Sequence, residues 1–216
     1  MRGIKMPGPS IFESISTELL RGFDDKDRAR EEALLLSRKA IRLCSSSIRS
    51  VHRGEIEEAE RLIDQAGEEL EKIRTLLVNH QDVRYAGFVD GAEQEYAEAL
   101  SVYSIITRHE ILSPDEIAVE RVNYLAGLGD TTGELRRHIL DLIRSGRAKD
   151  GEYYLQVMEE IYYLLMLFDY PDAITRGLRR KSDLARSMLE RTRGDLTNAL
   201  EISRMESSLL KNQCSK

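Results

Sequence analysis

Two pairs of carboxylates stand out by residue type and spacing. Glu95 and Glu98 lie three residues apart in "GAEQEYAEAL", and Asp130 and Glu134 lie four apart in "GLGDTTGELRRHILDL". Acids one helical turn apart repel each other by a few tenths of a kcal/mol (~0.2–0.5), unless something offsets the repulsion. A hard cation such as Mg²⁺, which prefers oxygen ligands and keeps several waters, would offset it. Projected at about 100° per residue, Ala92, Tyr96, Ala99, Tyr103 and Ile106 form an apolar stripe. Glu95 borders that stripe, and Glu98 stands further round, in line with Arg84, Gly91 and Val102. Asp90 and Glu93 project away from it and are expected in solvent.

Each pair also has a plainer explanation. Glu95 and Glu98 could be boundary residues paired with cations of a neighbouring helix. Asp130, Glu134, Arg137 and Asp141 project opposite the stripe Leu128, Leu135, Ile139 and Leu142, as on a solvated face with i,i+4 pairs such as Arg137 with Asp141. Thr131-Thr-Gly-Glu134 also fits a capping box opening a new helix. Gly127, Gly129 and Gly133 crowd Asp130, and each glycine inside a helix costs about 1 kcal/mol relative to alanine. Either the helix breaks there, or another chain or a ligand comes close.

Other catalytic patterns are missing. His52, His80, His109 and His138 are scattered without a Glu-x-x-His spacing, and neither H-E-x-x-H, a phosphate-binding G-x-x-x-x-G-K-[ST] loop nor G-x-S-x-G occurs. The most basic stretch, "RGLRRKSDLARSMLERTRG" at residues 176–194, is amphipathic and interrupted by Asp183 and Glu190, which favours an exposed helix face over a nucleic-acid stripe.

The elements that must position these residues are helical. The 216 residues carry a net charge of −6, 32% charged residues, only 6% aromatics and no tryptophan, which suits one all-α domain. Cys44 and Cys214 have no C-x-x-C spacing, so no zinc site or disulfide framework is indicated and a reduced cytoplasm is expected. The longest apolar run, "IYYLLMLF", is too short to span a membrane. Residues 1–9 are expected as a tail, and 10–216 as a bundle of five to seven helices. Helical periodicity covers about 10–53 (with "GFDDKD" as a candidate irregularity), 55–78, 82–109, 113–144, 152–168 and from Pro171 to about 210. Ser113 reads as an N-cap before Pro114. The helix 152–168 is apolar nearly all round and belongs at the centre of the bundle or in a subunit interface.

Taken together, "FESISTELL", "LSRKAIRLCSSSIRSVHR", "QEYAEALS", "ERVNYLAGLGDTTGELRR" and "YPDAITRGLRRKSDLARSMLERTRGDL" resemble the translin family, and within it the translin-associated factor X (TRAX) branch. The resemblance implies an all-α subunit of a closed, octameric shell that binds single-stranded RNA or DNA. For the TRAX branch it adds a Mg²⁺-dependent endoribonuclease site facing the interior, with Mn²⁺ as an alternative ion. The Q-E-Y-x-E pattern falls on Glu95 and Glu98, and D-x-T-G-E on Asp130 and Glu134, which the resemblance makes the metal ligands; Glu95, Glu98 and Asp130 are the catalytic set. Arg84 and Arg137 are the candidates for holding RNA phosphates. Translin itself is similar but uses basic and aromatic residues near the start of its third helix; "HQDVRYAGF" offers few. The partner implied is a translin-like subunit or further copies of this chain.

Overall fold

The computed structural model describes residues 11–213; the expected tail at 1–9 and Cys214 lie outside that range. Among the described residues there are nine α-helices and no strand, six of them long. These are α1 (Ile11–Arg53), α2 (Ile56–Leu76), α3 (Gln81–Arg84), α4 (Phe88–Arg108), α5 (Pro114–Ile117), α6 (Arg121–Arg144), α7 (Gly151–Met166), α8 (Asp172–Thr175) and α9 (Leu178–Gln213).

Turn chemistry sets the boundaries. Gly54 takes φ 75°, a left-handed conformation that costs glycine nothing, and so ends α1. Ser113 and Glu116 form a reciprocal capping box with Pro114 in the first turn, as expected, but α5 stops after four residues when Ala118 turns left-handed. The expected helices 82–109 and 113–144 are therefore each a single-turn helix followed by a long one. The last helix divides likewise at Arg176 and Gly177, both left-handed. "GFDDKD" makes no break; α1 runs through it for 43 residues.

Helix α4 is the spine. It packs against α1 and α2 on one side and α6 on the other, while α6 also meets α7 and α9. One core lies among α4, α6, α7 and α9, around Leu128, Leu135, Ile139, Met158 and Leu165. Two smaller cores join α1, α2 and α4, around Leu70, Ile73 and Leu77, and around Cys44, Ile63 and Val102. Tyr96 borders all three. The apolar helix α7 is thus not central. It flanks the bundle and leaves Tyr163 and Met166 exposed, followed by Leu167 and Tyr170.

This double-sided packing overturns the expectation that Asp90 and Glu93 are solvated. Glu93 is 1% exposed and accepts hydrogen bonds from Arg84 Nη2 at 2.5 Å, Asn123 Nδ2 at 2.8 Å and the Glu120 N–H at 3.1 Å. Asp90 accepts from Asn123 and Arg176. A single apolar stripe marks one packed face; α4 has a second, and polar partners line it.

Candidate active site

The sequence brings α4 and α6 together at Gly127. A Cβ there would lie 2.7 Å from the Gln94 carbonyl oxygen, 2.8 Å from Ala97 Cβ and 2.9 Å from the Glu98 nitrogen. Only glycine permits that approach, which sets the Glu95–Glu98 turn beside Asp130. At Gly129 the added carbon would meet Lys181 Cβ at 3.0 Å, so α9 closes in from another side. Helix α6 remains unbroken through all three glycines. Thr131 is consequently not an N-cap: it and Thr132 are buried and donate back to the Gly127 and Gly129 carbonyls. The close neighbours are this chain's own helices.

The four acids gather between α4 and α6. Burial first, and then the neighbouring carboxylates Asp130, Glu95 and Glu134, push Glu98 up to about 8. Burial and Asp130 also raise Glu95. Asp130 is half-buried: Lys181 Nζ donates to both its oxygens at 2.6 and 2.7 Å, and Gln94 Nε2 donates at 2.6 Å. His52 of α1 stands 2.6 Å from Glu134 through Nε2, its side chain only 3% exposed. That hydrogen bond holds Glu134 below its ordinary range. Arg137 is exposed, 3.7 Å from Glu134, and Asp141 pairs with Arg144 rather than Arg137. Burial, then the neighbouring His52, lowers His138 to about 4.

The bland expectations for these acids are thus partly replaced. Asp130 and Glu134 are half-buried, not on a solvated face, and Glu95 and Glu98 have no ion pair among the described residues. Among those residues no three His, Cys, Asp or Glu side chains are already placed to grip one metal ion; Asp130 is bonded to Lys181 and Gln94, and Glu134 to His52. Arg84 sits elsewhere. It belongs to α3, is 9% exposed, and pairs with Glu93 instead of sharing a face with Glu98.

Three neighbours were not singled out from sequence. His52 follows Cys44 and Ile48 at four-residue intervals, and Lys181 sits between Leu178 and Ala185, so each is a polar residue on the buried stripe of its helix. That was their legible signal. Cys44 is fully buried beside the pair; burial and then Glu95 and Glu98 push its thiol up to about 12.

An all-helical bundle with a half-buried carboxylate cluster between its two central helices is the class these observations define. The chain belongs to the translin family, whose model matches residues 30–192. It is 34% identical over 196 residues to the uncharacterized protein MJ0175 of Methanocaldococcus jannaschii, covering 90% of this chain and 87% of that protein. It is similar to the crystal structure of AfC3PO (34% identity, TM-score 0.78, 88% of this chain and 98% of that one) and to AfC3PO in complex with duplex RNA (33%, TM-score 0.78, 88% and 97%). The fold is shared with apo-NeC3PO at 21% identity, TM-score 0.78, covering 91% of this chain and 100% of that one.

Proposed function

We propose that this chain is a TRAX-type, Mg²⁺-dependent endoribonuclease that cuts single-stranded RNA inside a closed oligomer of its own copies, or of these with a translin-like subunit. RNA binding is supported by membership of the translin family and by the likeness to AfC3PO, whose complex with duplex RNA is known. The observation that carries the catalytic part is the placement of four carboxylates together in a half-buried site, where burial first and the neighbouring acids second push Glu98 up to about 8. Glu95 and Glu98 have no ion pair among the described residues, and the donors are hard oxygens, which fits Mg²⁺, or Mn²⁺, better than a soft metal.

Glu95, Glu98 and Asp130 would hold the ion, with Glu134 as a fourth or water-mediated ligand. The ion, when bound, supplies an acidified water and charge neutralisation at a phosphodiester. His52 and Lys181 fix the orientation of Glu134 and Asp130. The exposed Arg137 is available to a phosphate beside Glu134. Little base selectivity is expected, since single strands are gripped mainly through backbone charge and stacking.

A second reading, an RNA- or DNA-binding shell without chemistry, is favoured by one observation: Asp130 is already ion-paired with Lys181, and Glu134 is already hydrogen-bonded to His52. End-labelled unstructured RNA separates the two. Glu95→Ala, Glu98→Ala and Asp130→Ala should each lower Mg²⁺-dependent cleavage by about a hundredfold or more while retaining RNA binding. Undiminished cleavage by all three, in protein cleared of contaminating nuclease, would eliminate the site.

A further inference from the structure

A cleft of about 990 Å³ lies between α2–α3, the α5–α6 turn and the α7–α8 connection, and none of the four clustered acids lines it. This volume falls in the range of small-molecule sites. Its most unusual wall residue is Arg84. The guanidinium is locked by Glu93, whose carboxylate is filled further by Asn123 and the Glu120 N–H, and Arg84 Nη1 is buried with no hydrogen-bond partner. A buried guanidinium nitrogen without an acceptor is costly, and an anion in the cleft that drew Nη1 toward it would relieve that cost.

Three more arginines line the same cleft. Arg121 is exposed and has no ion pair among the described residues, whereas Arg74 pairs with Glu71 and Arg176 with Asp90. Arg84 is likewise taken by Glu93, which leaves Arg121, beside Asp115 and Glu120, as the arginine of the wall with no ion pair among the described residues. Tyr85 and Tyr170 contribute rings that are 54% and 59% exposed, and the Arg84 guanidinium lies 5.5 Å from the centre of the Tyr85 ring. Forked donors suit a phosphate, and exposed aromatic faces suit a planar heterocycle.

The cleft adjoins a second depression on the side of the acidic cluster. Arg176 lines both it and a second depression formed with Asp90, Gln94 and Asn123, and Gln94 donates to Asp130. We propose that the arginine cleft binds a nucleoside monophosphate unit, as the phosphorylated end of an RNA strand whose body runs along α4 toward the four acids. The strand's course rests on the ribonuclease reading above; binding of the nucleotide unit does not.

The test is titration of the full chain, in EDTA, with 5′-AMP, 3′-AMP, adenosine, inorganic phosphate, and RNA oligomers with and without a terminal phosphate. A phosphorylated RNA end, or AMP, should bind at least about tenfold more tightly than its unphosphorylated counterpart or inorganic phosphate. Arg121→Ser and Tyr170→Ser, both at exposed positions, should each remove about tenfold of that preference, and Arg84→Lys should remove it while keeping the charge opposite Glu93. Preference for free AMP and phosphorylated RNA alike identifies a nucleotide site that either source can fill; preference confined to RNA identifies the strand end. No phosphate preference with any ligand, or one that survives all three substitutions, overturns the proposal. Retained AMP binding in a chain that cuts no RNA would sink the nuclease reading alone, and cleavage without any phosphate preference would sink the cleft alone.

Discussion

Glu98 carries the largest electrostatic consequence at the scale of single residues. A carboxyl pushed up to about 8 by burial and by Asp130, Glu95 and Glu134 keeps its proton in the folded chain over a range where the unfolded chain, with its ordinary value of 4.5, has lost it. The folded state therefore binds more protons between those limits, and stability falls as pH rises through that window. Glu134 has the opposite sign. The His52 hydrogen bond lowers it, so its contribution is present above the ordinary carboxylate range and disappears in acid. In EDTA, wild-type melting temperature should fall from about pH 5 to about pH 8 more steeply than that of Glu98→Gln, and Mg²⁺ should recover the loss at the upper end. Parallel pH profiles for the two proteins would mean that burial and the neighbouring carboxylates do not raise Glu98.

At the scale of elements, the glycines of α6 make contrasting predictions. An alanine at Gly127 would meet the α4 backbone and Ala97 below 3 Å, whereas one at Gly133 would meet nothing within 4 Å. Gly127→Ala should lose about 1–3 kcal/mol by forcing α4 and α6 apart, outweighing its helical gain, and should weaken metal binding with it. Gly133→Ala should gain about 0.5–1 kcal/mol. Thermal melts of the pair decide whether close contact or chance places these glycines. Much of this architecture was legible: the long helices, the Gly54 stop and the Ser113 cap followed from periodicity and turn chemistry, and the motifs pointed to four acids that the fold brings near one another. The splits after α3, α5 and α8 were not, since two of them hinge on left-handed Ala118 and Arg176, residues with no preference for that conformation. Nor was the burial of Glu93, because projecting one helix shows its apolar stripe but not that a second helix will cover its polar side. His52 and Lys181 reach the site from 82 and 51 residues away, a pairing that only the tertiary fold creates.

The whole molecule has more apolar surface than one subunit can cover. On α1, Ile11, Phe12, Ile15, Leu19, Leu20 and Phe23 are all exposed, as are Ile202, Met205 and Leu209 near the end of α9. Exposed apolar stripes at helical spacing are what self-association would cover. Phe12→Asp combined with Leu19→Asp should convert an assembled particle into smaller species by light scattering, while the bundle core, which begins at Ala29, keeps its near-ultraviolet signature. An undiminished particle mass would assign the stripes another role. The same arm has a consequence for how secondary structure depends on concentration. Residues 11–25 of α1 are exposed throughout, so this stretch has little but its own hydrogen bonds to hold it, and a helix of that length is marginal alone in water. Dilution would then uncoil the first turns as subunits part, and ellipticity at 222 nm becomes a direct gauge of association.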